Sequence, residues 1–202
     1  MAKWHAYGRC KTRLSRDIGK ICSAKVQRKM TEHTVSVAKS IEKKGLIDIS
    51  LAISGLGLKK GKRWTRELGI KNFSLQGKGC LGEKMKRQIL INKKLNLTKT
   101  KNIIIVGTDL PDLCHMDLLN TLTKLKKKDL IIGPSNDGGY WLIAFSERLL
   151  STYLYLPFIN IKWSSKDVLK QTINNFSSIK LRYEFLQTKT DIDTILDIEE
   201  RE

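Results

Sequence analysis

Short apolar runs alternate with longer amphipathic segments along this chain. Asp48 to Ser54, Ile103 to Val106, Leu130 to Ile132 and Tyr140 to Phe145 are alternating or continuous apolar runs of strand length. The four consecutive β-branched residues from Ile103 to Val106 make the clearest buried parallel strand. Helical patterns lie between them. Ile21 to Lys44 spaces Val26, Met30, His33, Val37 and Ile41 three or four residues apart, and Gly45 is available to stop the helix. Met85, Ile89 and Leu90 mark a basic amphipathic helix, and Leu118, Leu119, Leu122 and Leu125 mark another over Met116 to Lys126. A short helix around Trp64 to Leu68, a weak strand at Asn72 to Gln76, a helix over Ser164 to Asn174, a strand over Lys180 to Leu186 and a helix over Thr190 to Glu200 complete the pattern. It predicts a three-layer α/β domain with a mixed, mainly parallel sheet. With no Pro/Gly/Ser-rich linker, residues 1–202 read as one domain. Ile103 to Val106 and Leu130 to Ile132 form a β-α-β unit with a right-handed crossover. His33, on the apolar stripe, reads as a core or boundary histidine in preference to a ligand.

The chemistry sits where the strands stop. Ile103 to Val106 runs into Gly107-Thr108-Asp109-Leu110-Pro111-Asp112, and Leu130 to Ile132 into Gly133-Pro134, followed by Asp137-Gly138-Gly139-Tyr140-Trp141. Ligands of open α/β sheets bind at the carboxyl edge. Asp109, fixed by the strand before it, is suited to hold Mg²⁺ or Mn²⁺ beside substrate phosphates. Asp112 is a second ligand or a helix cap. Gly138 and Gly139 let backbone approach a ligand closely, and Asp137 is a candidate base or hydroxyl-orienting group. Tyr140 and Trp141 either stack on a ring or belong to the next strand. Lys11, Thr12 and Arg13 follow Gly8 in a loop and offer two cations and a hydroxyl to a pyrophosphate. Asp191-Ile192-Asp193-Thr194 is either a helix N-terminus or the source of the carboxylate that completes the metal shell begun by Asp109.

Composition narrows the classes. Lys and Arg number 38 against 20 Asp and Glu, a formal charge of +18. The lysines are spread along outer helix faces, so the charge reads as solvated surface that also draws phosphorylated substrates, with no specific nucleic-acid binding expected. The four cysteines form no C-x-x-C pair and read as free thiols. No signal-peptide core and no run of about 20 apolar residues is present, so a cytoplasmic protein without a membrane span is expected. Gly57-x-x-x-Gly61-Lys62-Arg63 is one residue short of a phosphate loop and carries Arg where Ser or Thr is needed. No residue order suggests a nucleophilic triad. The loop Ala6 to Arg13 has almost no strand before it, and a first strand shortened at its start is expected.

Lys11-Thr12-Arg13-Leu14, Gln76-Gly77-x-Gly79-x-Leu81-Gly82-Glu83-x-Met85, Gly107-Thr108-Asp109-x-Pro111-Asp112-Leu113, Gly133-Pro134-x-x-Asp137-Gly138-Gly139-Tyr140-Trp141-Leu142 and Asp191-x-Asp193-Thr194 together carry a resemblance over nearly the whole chain. The chain resembles the bacterial GT-A-type transferases associated with radical-SAM and selenodomain genes, labelled glycosyltransferases and in some settings linked to arsenosugar biosynthesis. The resemblance implies a nucleotide-diphospho-sugar-transferase fold, related to molybdenum-cofactor and phospholactate nucleotidyltransferases. It also implies that Lys11 and Arg13 meet nucleotide phosphates, that Asp109 and Asp193 hold the divalent metal, and that Gly82-Glu83 with Asp137-Gly138-Gly139 meet the nucleotide or sugar. Gly8, Thr12, Gly79, Thr108 and Tyr140 accompany them as binding positions. Cys80 stands where that family usually has an acidic residue. The expected reaction is metal-dependent transfer of a sugar from a nucleotide sugar to a small-molecule acceptor; the alternative is nucleotidyl transfer from a nucleoside triphosphate with release of pyrophosphate.

Overall fold

The computed structural model describes residues 1–95, 102–177 and 179–199. Its contacts divide the chain into two compact units, one of Met1–Leu75, Gly107–His115 and Thr190–Glu202, the other of Gln76–Val106 and Met116–Lys189.

The first unit holds a three-stranded parallel sheet in the order β1 (Ala2–Lys3), β2 (Ser50–Ser54), β3 (Asn72–Leu75). Strand β1 is only two residues long, with Ala2 opposite Ile53 and Lys3 opposite Ser54. Helix α1 (Leu14–Glu42) starts seven residues earlier than its apolar pattern predicts, because a first turn from Leu14 precedes a break at Gly19 (φ 79°, ψ 161°). Its buried stripe includes Ser23, Gln27, Thr31 and Thr34 beside Ala24, Met30, Val35 and Ile41. Hydropathy alone misses that stripe, since the Ser23 and Thr31 hydroxyls bond to the helix's own Lys20 and Gln27 carbonyls. His33, half-buried, bonds through Nε2 to the Leu113 carbonyl at 2.8 Å. Ala2, Val35, Leu51, Ile53, Trp64 and Ile70 form one core cluster around the sheet. The glycine loop after β2 is short, for α2 (Leu58–Glu67) begins at once, and Gly61 lies inside it where a Cβ would meet the Phe73 ring at 3.2 Å.

The second unit contains α3 (Leu81–Leu95), β4 (Ile103–Val106), α4 (His115–Lys124, whose first residue belongs to the first unit), β5 (Leu130–Pro134), β6 (Tyr140–Phe145), α5 (Glu147–Thr152), a 3-10 turn at Leu156–Phe158, α6 (Val168–Asn174) and β7 (Tyr183–Phe185). Its sheet is mixed, ordered β4-β6-β5-β7, with β6 antiparallel to β4 and β5 and β7 parallel to β5. Strands β4 and β5 therefore run parallel to each other, but β6 lies between them. The most deeply buried strands are β5 and β6, where Leu130 to Ile132 and Leu142 to Phe145 are fully buried; β4, at one end of the sheet, is half-buried. Helix α5, absent from the apolar pattern, is started by Ser146, whose hydroxyl accepts from Leu149 N at 3.3 Å. The buried carboxylate of Asp129 ties the strand ends together, accepting from the Arg148 and Arg182 guanidiniums and from Arg182 N.

The final helix is shorter than its pattern: α7 covers Leu196–Glu199, and Glu200 lies outside the described residues. All four cysteines are free thiols. Among the described residues no helix is long and apolar enough to cross a membrane.

Candidate active site

Within the first unit, three chain segments far apart in sequence meet at one pocket, lined by Lys3, Lys11, Thr12, Arg13, Gln27, Asp109 and Asp193. Apolar anchors beside the polar residues bring them there. Leu14, directly after Arg13, and Ile192, directly before Asp193, pack with Met30 of α1 in one cluster that Ile18, Val26, Ile195 and Ile198 extend. Leu110 and Leu113 are buried on either side of Pro111 and Asp112. The Ile192 N–H donates to the Asp109 carbonyl at 3.0 Å, joining the two acidic segments through backbone.

Lys11 is the centre of the charge network. Its Nζ is 2.9 Å from Asp109 Oδ1 and 3.0 Å from Asp193 Oδ1, and it donates to the Ile192 carbonyl at 2.6 Å. Burial alone lowers the pKa of such an amine, but the two carboxylates outweigh it and hold Lys11 above its ordinary value. Arg13 lies at the rim, its Nη2 2.9 Å from Asp193 Oδ2. Gln27 donates from Nε2 to Asp109 Oδ1 at 3.1 Å.

The two carboxylates are 40% and 37% exposed, while the side chain of Lys11, whose ammonium pairs with both, is 3% exposed. Two carboxylates in one polar pocket are oxygen donors of the kind that would hold Mg²⁺ or Mn²⁺. Among the described residues no group of three or more His, Cys, Asp or Glu side chains is placed to hold a metal, so such an ion would rest on Asp109 and Asp193 and on ligand oxygens.

The Asp193 carboxylate is turned to Lys11 and Arg13, while Asp197 bonds the backbone beside it. The Asp197 Oδ2 accepts from Asp193 N, Thr194 N and the Thr194 hydroxyl at 2.8, 2.6 and 2.8 Å, which fixes the turn that leads into α7. Thr12 is exposed at the rim of the pocket, and Thr108 is buried beside Asp109. Gly8 turns at φ 69° under the stem of Lys20. Lys3 and Gln27 are the pocket residues that the sequence did not single out.

The remaining motif residues belong to the second unit, where each makes contacts of its own. Glu83 Oε2 accepts from Cys80 N at 2.8 Å, closing the first turn of α3 in the manner of a capping box. Gly79 lies over that carboxylate, and Gly82 lies under the Trp163 indole, where a Cβ would come within 2.4 Å of the ring. Asp137 Oδ1 accepts from Ser135 Oγ and from Gly139 N at 2.9 Å, an Asx turn between β5 and β6. Gly138 (φ 84°) leaves no room for a side chain, since a Cβ would lie 2.0 Å from the Lys166 carbonyl oxygen. Tyr140 points its phenol inward, and burial pushes the phenol pKa up, with the Thr172 hydroxyl acting the other way. Trp141 lies over Gly133 and donates from Nε1 to the Gln187 carbonyl at 3.2 Å. Both aromatic rings of this motif are thus used within the fold.

The chain belongs to the bacterial family DUF2064, described as an uncharacterized protein conserved in bacteria, whose model matches residues 37–165. That stretch includes Asp109 and Asp137, while Lys11, Arg13 and Asp193 lie outside it. No curated protein matches the chain. Its fold is similar to that of a protein from Desulfovibrio desulfuricans called a "putative nucleotide-diphospho-sugar transferase", with a TM-score of 0.81 at 25% identity, covering 98% of this chain and 81% of that one. It is less similar to 4-diphosphocytidyl-2C-methyl-D-erythritol synthase from Anaerococcus prevotii, with a TM-score of 0.58 at 13% identity, covering 98% of this chain and 93% of that one. The fold class is α/β with a parallel and a mixed sheet, that of the nucleotide-diphospho-sugar transferases.

Proposed function

We propose that the protein is a metal-dependent glycosyltransferase that moves a sugar from a nucleotide-sugar donor to a small-molecule acceptor. The observation that carries this reading is the grouping of Asp109 and Asp193 with Lys3, Lys11 and Arg13 around one pocket. Asp109 and Asp193 would hold Mg²⁺ or Mn²⁺, which when bound supplies charge neutralisation to a departing nucleoside diphosphate. Arg13, 68% exposed, presents a planar fork suited to phosphate oxygens, and Lys3 adds a second positive charge. A site of this kind works by positioning and charge stabilisation, and needs no protein nucleophile. The likeness to the Desulfovibrio protein supports a nucleotide-sugar donor.

The test is incubation with Mn²⁺ and a panel of nucleotide sugars or nucleoside triphosphates, with phosphate-containing products identified. Release of nucleoside diphosphate with sugar transfer is expected. Release of pyrophosphate from a triphosphate without sugar transfer would replace this reading with nucleotidyl transfer, which the same cations could serve.

A further inference from the structure

The Lys11 ammonium is engaged by the protein itself, donating to the Ile192 carbonyl and Asp193 Oδ1 and ion-paired with Asp109. A lysine ammonium carries three donors, and here the Ile192 carbonyl, Asp193 Oδ1 and Asp109 Oδ1 lie 2.6, 3.0 and 2.9 Å from Nζ. The side chain is 3% exposed. Its backbone stands at φ 46°, a left-handed conformation uncommon outside glycine, and turns the side chain inward. A phosphate arriving at the pocket therefore meets Arg13 and Lys3, and Lys11 can reach it only by leaving the carboxylates.

The two acids are held together by a shared cation. Half-exposed carboxylates converging on one point repel each other unless a positive charge lies between them. Lys11, which pairs with both acids, supplies that charge between them, and Arg13 pairs with Asp193 Oδ2 from the rim. An ammonium and a divalent cation repel, so they do not share the position.

We propose that Lys11 is a placeholder cation, neutralising the Asp109–Asp193 pair until it is released, and that its release frees both the pair for a divalent cation and the ammonium for ligand phosphate. Cation binding and phosphate binding are then linked, each favouring the other through one side chain. The proposal deepens the metal-dependent reading above and rests on it.

The test is equilibrium Mn²⁺ binding, followed by electron paramagnetic resonance without nucleotide, on the wild-type chain and on Lys11→Met. If Lys11 holds the pair for about nine-tenths of the time or more, removing it tightens Mn²⁺ binding about tenfold or more, because the apparent affinity scales with the competent fraction. Equal or weaker binding by a folded Lys11→Met overturns the placeholder role and leaves the metal site standing. Mn²⁺ binding to neither chain overturns both readings. Should Lys11→Met fail to fold, the wild type decides, through the side-chain ammonium resonance of Lys11 assigned by NMR. Saturating Mg²⁺ is expected to abolish its protection from exchange; a resonance unchanged at saturation overturns the proposal.

Discussion

Gln27 Nε2 donates to Asp109 Oδ1 across 3.1 Å, from a side chain only 3% exposed on the buried stripe of α1. The amide fixes the rotation of a carboxylate that otherwise projects from a loop. Partners of this kind orient a metal ligand and account for roughly tenfold to a hundredfold in affinity. Gln27→Leu should therefore weaken Mn²⁺ binding about tenfold in a calorimetric titration while leaving the unfolding temperature close to that of the wild type.

Gly138 distinguishes packing from ligand approach. With φ at 84° and the Lys166 carbonyl oxygen 2.0 Å from the position of a Cβ, Gly138→Ala should destabilise the ligand-free protein by about 2 kcal/mol, read by urea unfolding. An alanine tolerated without loss of stability would contradict the steric role of the Gly138 turn.

Asp129 makes stability depend on pH in a defined direction. Burial raises its pKa, but the hydrogen bonds from Arg148 and Arg182 outweigh burial and hold the carboxyl below its ordinary value. A lowered pKa contributes stability that is complete above the unfolded value of about 4 and is lost as pH falls through the folded one. Asp129→Asn should cost about 2 kcal/mol near neutral pH, and the gap to the wild type should close below about pH 4 in urea unfolding across pH. Lys11 acts at the other end of the scale. Its raised pKa gives a contribution complete below the ordinary lysine value, lost only as pH rises through the higher folded one.

Much of the fold was legible because buried strands advertise themselves. Ser50–Ser54, Ile103–Val106, Leu130–Pro134 and Tyr140–Phe145 all lie on apolar runs. Strand order was not legible, since an apolar run does not say that β6 separates β4 from β5. At the site, Asp109 and the Lys11 to Arg13 loop stood out as acids and cations at strand and loop ends. Gln27 did not, because a single glutamine in a helix carries no mark of burial; its place one turn from Ala24 and Met30 was the available signal. Asp193 reads from sequence as either cap or ligand; in the structure its carboxylate pairs with Lys11 and Arg13, and Asp197 bonds Thr194 N and Asp193 N. Glu83, Gly138 and Tyr140 make contacts that the motifs alone do not disclose, at a helix start, in a tight turn and in the interior.

The most direct measurement of the central claim is Mn²⁺-dependent release of nucleoside diphosphate from a nucleotide sugar by the wild type, Asp109→Asn and Asp193→Asn. Each substitution keeps the side chain's size and removes one carboxylate from the pocket. A loss of about a hundredfold or more in both folded variants is predicted. Wild-type rates in both, with the same Mn²⁺ dependence, would contradict the assignment of the Asp109–Asp193 pair as the metal-holding centre of a transferase.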